Sequence, residues 1–209
     1  MIYSEEKNFL LLRNLKVGSS SMEVELSKVL PENTIVTPIV IDPPANHKPR
    51  NYDGFHGHMG VDEVIDIIGE EKYNSLETAI FVRNPYHQVL SHFFMTIKVS
   101  GIQDWSLHID NYFNDRLSIP WLTSTRDIYM IGDDIRVKNI LFYEKGIEEE
   151  LNKVLKKINM PYLKINAWEK KFNKDDLKYK DVFSDKHIKI INDSWWWEFE
   201  NLGYKKDLV

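Results

Sequence analysis

The chain has 209 residues, with 27 Lys and Arg against 32 Asp and Glu for a net charge of −5, 43% hydrophobic residues and no cysteine. That composition suits one folded domain over 1–209 and excludes disulfides, thiolate catalysis and Cys-ligated metal, leaving His and carboxylates as the only candidate metal ligands. With no apolar run near the roughly 20 residues of a membrane span and two glutamates in the opening MIYSEEKNFL, it is expected to be soluble and cytoplasmic, and its acidic balance argues against a general nucleic-acid binder.

Four short apolar runs rich in β-branched and aromatic residues read as buried strands: Asn8–Arg13, Thr34–Ile41, Glu77–Arg83 and Lys138–Tyr143. Helical periodicity covers Ser20–Val29, Val61–Ile68, Pro85–Ile97, Ile147–Ile158 and Ser184–Leu202. Strands alternating with helices predict an α/β fold with a central parallel sheet flanked by helices, and a P-loop-like arrangement of that sheet is the expected architecture. In the last helix Ser184 or Asp185 is the cap, Ile188, Ile191, Trp195, Phe199 and Leu202 share one face, and Gly203 is the stop. Of Trp195, Trp196 and Trp197, one ring is expected in the core with the others flanking it.

Three local patterns carry chemistry. Lys16-Val17-Gly18-Ser19-Ser20-Ser21 lies between the first strand and a helix, where free helix-terminal amides, hydroxyls and the Lys16 charge converge on a phosphate or sulfate. Gly-Ser clusters are also ordinary turn chemistry, so the loop alone fits a plain capped helix as well. It is not a Walker A loop, whose lysine follows the second glycine, whereas Lys16 precedes the only one. The second pattern is Arg83-Asn84-Pro85, again strand into helix, with Ser91 two turns up that helix. Ligands of open α/β sheets bind beyond the carboxyl ends of strands, so Arg83 and Ser91 can face one anion; surface pairing of Arg83 is the alternative. The third is Phe55-His56-Gly57-His58. Its histidines suit either metal ligation, for which no convincing third ligand accompanies them, or a base with a supporting neighbour.

Together these segments resemble sulfotransferases that use 3′-phosphoadenosine 5′-phosphosulfate. Lys16 to Ser21 resembles the family's 5′-phosphosulfate loop, and Arg83-Asn84-Pro85 with Ser91 resembles its 3′-phosphate motif. Phe55-His56-Gly57-His58 is similar to the segment bearing the catalytic histidine of uronyl 2-O-sulfotransferases, and Val137–Glu144 to the strand ending in Arg-Phe/Tyr-Glu of Golgi-type and bacterial members. The resemblance implies His58 as general base with His56 beside it, Lys16 on the leaving group, and Lys16, Val17, Gly18, Ser19, Ser20, Ser21, Arg83 and Ser91 around the donor. It implies no obligatory metal. The family's Pro-Gln-Ser/Thr segment has no clear counterpart, the nearest stretch being Leu122–Arg126, and the missing anchor and cysteines look like a soluble bacterial or viral member.

Two other readings compete: a P-loop-type kinase or nucleotide hydrolase, and a non-catalytic nucleotide- or carbohydrate-binding module. The acceptor is expected to be a hydroxylated saccharide or small metabolite, walled by residues 42–51 with Lys48 and Arg50, and by residues 100–126 with Trp105, Tyr112, Arg116 and Trp121.

Overall fold

A tight turn at residues 5–8 sets the character of the central sheet. In the computed structural model, which describes residues 1–40, 43, 46–115, 124–166 and 177–208, the Asn8 amide donates to the Glu5 carbonyl at 3.0 Å. Asn8 takes a left-handed φ of 48°, which asparagine tolerates better than most residues. In chain order the elements are β1 (Ile2–Ser4), β2 (Phe9–Leu12), α1 (Ser19–Val29), β3 (Ile35–Val36), α2 (Val61–Ile68), α3 (Glu70–Ser75), β4 (Glu77–Val82), α4 (Pro85–Val99), α5 (Ile109–Asp115), β5 (Met130–Ile131), β6 (Asp134–Ile135), β7 (Asn139–Phe142), α6 (Ile147–Lys157), α7 (Tyr179–Val182), α8 (Asp185–Ser194) and α9 (Trp196–Asn201).

The protein is α/β, with a mixed five-stranded sheet in the order β3-β1-β2-β4-β7 flanked by helices. The parallel expectation holds for β2, β4 and β7 and is corrected at the edge, where β1 is antiparallel to both β2 and β3. The turn at 5–8 folds β1 back on β2, and a three-residue strand is too short to announce itself by periodicity. The strand expected over Thr34–Ile41 shrinks to β3 because Pro38 has no N–H for a ladder, and the carbonyls of Thr37 and Pro38 instead accept from Arg13.

The described residues form two compact units, Met1–Val82 with Asp127–Lys170, and Arg83–Arg126 with Lys171–Val209. In the first, Phe9, Leu11, Ala79, Phe81 and Leu141 face Met22 and Leu26 of α1 and Leu151, Val154 and Leu155 of α6. All four residues of β2 are buried, as expected of an interior strand covered on both faces. Register pairs Leu12 with Ile80 and Val82 with Phe142, so β2, β4 and β7 end at one edge of the sheet.

The second unit is helical, around Tyr86, Phe93, Tyr112, Phe183, Ile191 and Trp195. The helix expected over Ser184–Leu202 is interrupted at Trp195 (φ −113°, ψ 25°), which separates α8 from α9. With the periodicity broken there, both Trp195 and Trp197 are buried while Trp196 is 45% exposed. Arg116, Trp121, Leu122 and Thr123, and residues 42, 44 and 45 of the loop before His47, lie outside the described residues.

Candidate functional site

The loop after β2 is built on two left-handed residues, Lys16 (φ 56°) and Gly18 (φ 77°). A lysine in that region costs about 1–2 kcal/mol. The loop is pinned at its base: Asn14 Nδ2 donates to the Phe81 carbonyl on β4 at 2.9 Å, the Leu15 amide donates to Asn14 Oδ1, and Ser19 Oγ donates to the Asn14 carbonyl at 3.2 Å. Gly18 is the N-cap of α1, and the amides of Ser21 and Met22 both donate to its carbonyl. The amides of Ser19 and Ser20 stand ahead of that ladder, and the first turn contains no acidic residue. This end of α1 therefore presents partial positive charge beside Lys16. Ser21 is buried, while Lys16, Ser19 and Ser20 are half-buried. Gly18 also has a reason of its own: a β-carbon there would come within 2.5 Å of Ile147 Cδ1 on α6.

The histidines separate. His56 is exposed and its Nε2 sits 3.1 Å from Glu63 Oε1, whose other oxygen accepts from the Gly60 amide at the start of α2. His58 is half-buried, with Nδ1 3.0 Å from the Arg13 carbonyl. A carbonyl only accepts, so Nδ1 carries the proton and Nε2 the lone pair. Burial is the main cause that lowers the imidazole to about 4, with the Arg13 charge adding to it against the Arg13 carbonyl hydrogen bond. His58 is thus a neutral imidazole at neutral pH, oriented by Arg13; the partner of His56 is Glu63.

Arg13 was not foreseen. Buried at the end of β2, it donates from Nε to Glu23 Oε1 at 2.7 Å and from Nη2 to Glu23 Oε2, with further bonds to the carbonyls of Thr37 and Pro38. Glu23 lies on α1, fully buried, and also accepts from the Met1 amino group at 2.9 Å. Burial alone would push its carboxyl up, but the Met1 amino group and the Arg13 guanidinium bonded to it hold it well below the usual range, at about 2. His47 shares the Thr37 carbonyl through Nε2 at 3.0 Å, and its buried Nδ1 has no partner among the described residues. The sequence signal for Arg13 and Glu23 was a charge closing an apolar strand and an acid at an inward helix position.

Arg83 follows β4 directly and belongs to the second unit with Ser91. Asn84 caps α4, its side chain accepting from the Tyr86 amide at 3.0 Å, and Pro85 occupies the first turn. Ser91 lies one and two turns beyond Gln88 and Asn84, on the same face of the helix; both Arg83 and Ser91 are half-buried. Just before the start of the 3-10 turn at Arg126, Ser124 Oγ donates to Glu198 Oε1 at 2.5 Å and accepts from the Arg126 amide. Glu198 is buried, which pushes its carboxyl up, and its Oε2 has no hydrogen-bond partner among the described residues. The chain Ser184 Oγ, His187 and Asp110 is hydrogen bonded at 3.1 and 2.8 Å, but Ser184 is the N-cap of α8 and His187 its third residue, so the arrangement is explained as a helix cap.

Among the described residues no group of three or more His, Asp or Glu is arranged to hold a metal ion, and no helix is long and apolar enough to cross a membrane. Comparison with protein-family models, with curated proteins and with solved structures finds no match.

Proposed function

We propose that this protein is a sulfotransferase of P-loop-like α/β architecture that moves the sulfuryl group of 3′-phosphoadenosine 5′-phosphosulfate to an acceptor hydroxyl. The observation that carries the reading is one residue's double attachment. Arg13 orients a neutral His58 whose Nε2 lone pair is the basic nitrogen, and it binds Glu23 on the helix whose amino end, with Lys16, forms the anion-suited loop. A base and an anion cradle on one scaffold are what sulfuryl transfer requires.

In the reaction the acceptor O–H gives its proton to His58 Nε2 as its oxygen bonds to sulfur. The bond from sulfur to the bridging oxygen breaks, releasing 3′-phosphoadenosine 5′-phosphate. Lys16 and the amides of Gly18 to Ser20 are suited to the charge that builds on the leaving phosphate, the Ser21 amide being engaged by the Gly18 carbonyl. Arg83 and Ser91 are assigned to the 3′-phosphate, following the chain's resemblance to this family and the position of Arg83 just past a sheet strand. The preferred acceptor remains a hydroxylated saccharide or small metabolite.

The decisive test is mass spectrometry of a hydroxylated acceptor panel incubated with the donor. His58→Ala should retain binding of 3′-phosphoadenosine 5′-phosphate while turnover falls by about 10²–10⁴. Arg83→Ala should weaken that binding by about 1.5–3 kcal/mol, roughly 10–150-fold. Unchanged calorimetric affinity in Arg83→Ala refutes the donor assignment, and magnesium-dependent ATP turnover favours the kinase reading.

A further inference from the structure

We propose that Arg13 and Glu23 are positioning residues that hold the catalytic histidine in its working tautomer and tie it to the helix carrying the anion loop. The inference rests on the reading of His58 as the base. Three contacts meet at Arg13: its carbonyl takes the His58 Nδ1 proton, its guanidinium forks onto Glu23 of α1, and Gly57 packs against it so closely that a β-carbon there would overlap Nη1.

The guanidinium has little room to yield. It is buried and donates to Glu23, Thr37 and Pro38 together, so its geometry is determined from several sides. A glycine at 57 lets the His-bearing loop lie directly on this fixed plane, and the next residue then meets the Arg13 carbonyl. Glu23 is the counter-charge that permits an arginine to be buried there at all. Any shift of α1 that moves Glu23 is transmitted through Arg13 to the carbonyl that selects the His58 tautomer. The charges reaching His58 are those of Arg13, the Met1 amino group and Glu23.

The test uses nitrogen-15 NMR of the histidine side chains together with steady-state kinetics, on folded full-length wild type, Gly57→Ala and Arg13→Lys. Lysine keeps the charge but cannot fork onto Glu23 while also reaching two carbonyls. In the wild type His58 should show the Nδ1–H tautomer at neutral pH. In Gly57→Ala, and in Arg13→Lys where it folds, His58 should become a mixture of tautomers, with kcat lowered about tenfold or more while KM for the donor stays within about twofold. Glu63→Ala, which removes the partner of His56, should leave the His58 signals unchanged. An unaltered His58 tautomer in Gly57→Ala, or an altered tautomer with unaltered kcat, overturns the proposal. A wild type with the Nδ1–H tautomer but no sulfuryl transfer to any acceptor ends the transferase reading and the catalytic role with it, while the Gly57→Ala spectrum still decides whether Arg13 orients the ring.

Discussion

Gly18 meets two demands of the fold, a left-handed backbone and a close approach to α6, and a double-mutant cycle can read the two apart. Its φ of 77° is left-handed, so alanine there costs about 1–2 kcal/mol in the backbone. The new methyl also lands 2.5 Å from Ile147 Cδ1, an overpacking cost of about 1–3 kcal/mol. Gly18→Ala should therefore lose about 2–5 kcal/mol, or about 4–20 °C in Tm for a chain of this size. Ile147→Val alone should cost about 0.5–1.5 kcal/mol. In the double variant the offending Cδ1 is gone, and the next neighbours, Tyr143 Cε2 at 3.5 Å and Ile147 Cγ1 at 3.8 Å, are at ordinary contact distance. The steric cost should disappear and the φ cost remain, giving a favourable coupling of about 1–3 kcal/mol by urea denaturation of all four proteins. Additivity within about 0.5 kcal/mol refutes the argument that Gly18 is a glycine because of α6. Calorimetry with 3′-phosphoadenosine 5′-phosphate then adds the functional half: affinity that stays lost after stability is partly recovered assigns the glycine to the ligand as well.

His58 and Glu198 predict opposite pH dependences. The His58 imidazole protonates near 4 when folded and near 6.5 when unfolded, so below about pH 6.5 the unfolded chain binds the extra proton and stability falls with falling pH. This gap is worth about 3 kcal/mol, and urea titrations at pH 7 and pH 4 should show His58→Gln losing less stability than wild type by about that amount. Glu198 is raised by burial, so as pH rises above the ordinary carboxylate range the unfolded chain gives up its proton first and stability falls. Glu198→Gln should remove this decline, and its Tm advantage over wild type should grow between pH 4 and pH 8; an advantage that is constant or shrinks contradicts a buried, reluctant carboxyl. The cation–π contact of Arg126 with the exposed ring of Trp196, at 5.7 Å, predicts quenched tryptophan emission that brightens in Arg126→Ala, measured by steady-state fluorescence.

Much of the scaffold was legible because its signals are local. The runs around Phe9–Leu12, Glu77–Val82 and Asn139–Phe142 are apolar over a strand's length, and α2 begins and ends where its apolar spacing places it. What escaped was set by single residues or by distant ones. Asn8, in a left-handed conformation, folds β1 back and makes the sheet mixed, yet a turn of Glu5-Glu6-Lys7-Asn8 lacks the Asn-Gly pair that marks a short hairpin. Pro38 shortens β3, and its effect is visible only once Arg13 is seen to take the released carbonyls. The Trp195 interruption escaped because the apolar residues before and after it still fall at helical intervals.

The candidate site divides along the same line. Lys16 to Ser21 could be named as a candidate from sequence, since the amides, glycine and lysine that suit a loop to an anion are consecutive. The neighbour of His58 could not, because a supporting group for an imidazole is chosen by space and not by spacing. His56, two residues away, has Glu63 as its partner, while the group that fixes the tautomer is a backbone carbonyl 45 residues earlier in the chain. That carbonyl belongs to a residue whose side chain holds Glu23, so the orientation of the His58 ring depends on a buried ion pair with no motif of its own. Buried charge is costly unless fully partnered, and Arg13 and Glu23 answer that cost with four hydrogen bonds from one guanidinium. An apolar pair of similar volume would hold α1 to the sheet equally well, but it would leave the loop at His58 without a plane to rest on; the ion pair is better explained by the geometry it imposes on the site than by the stability it adds.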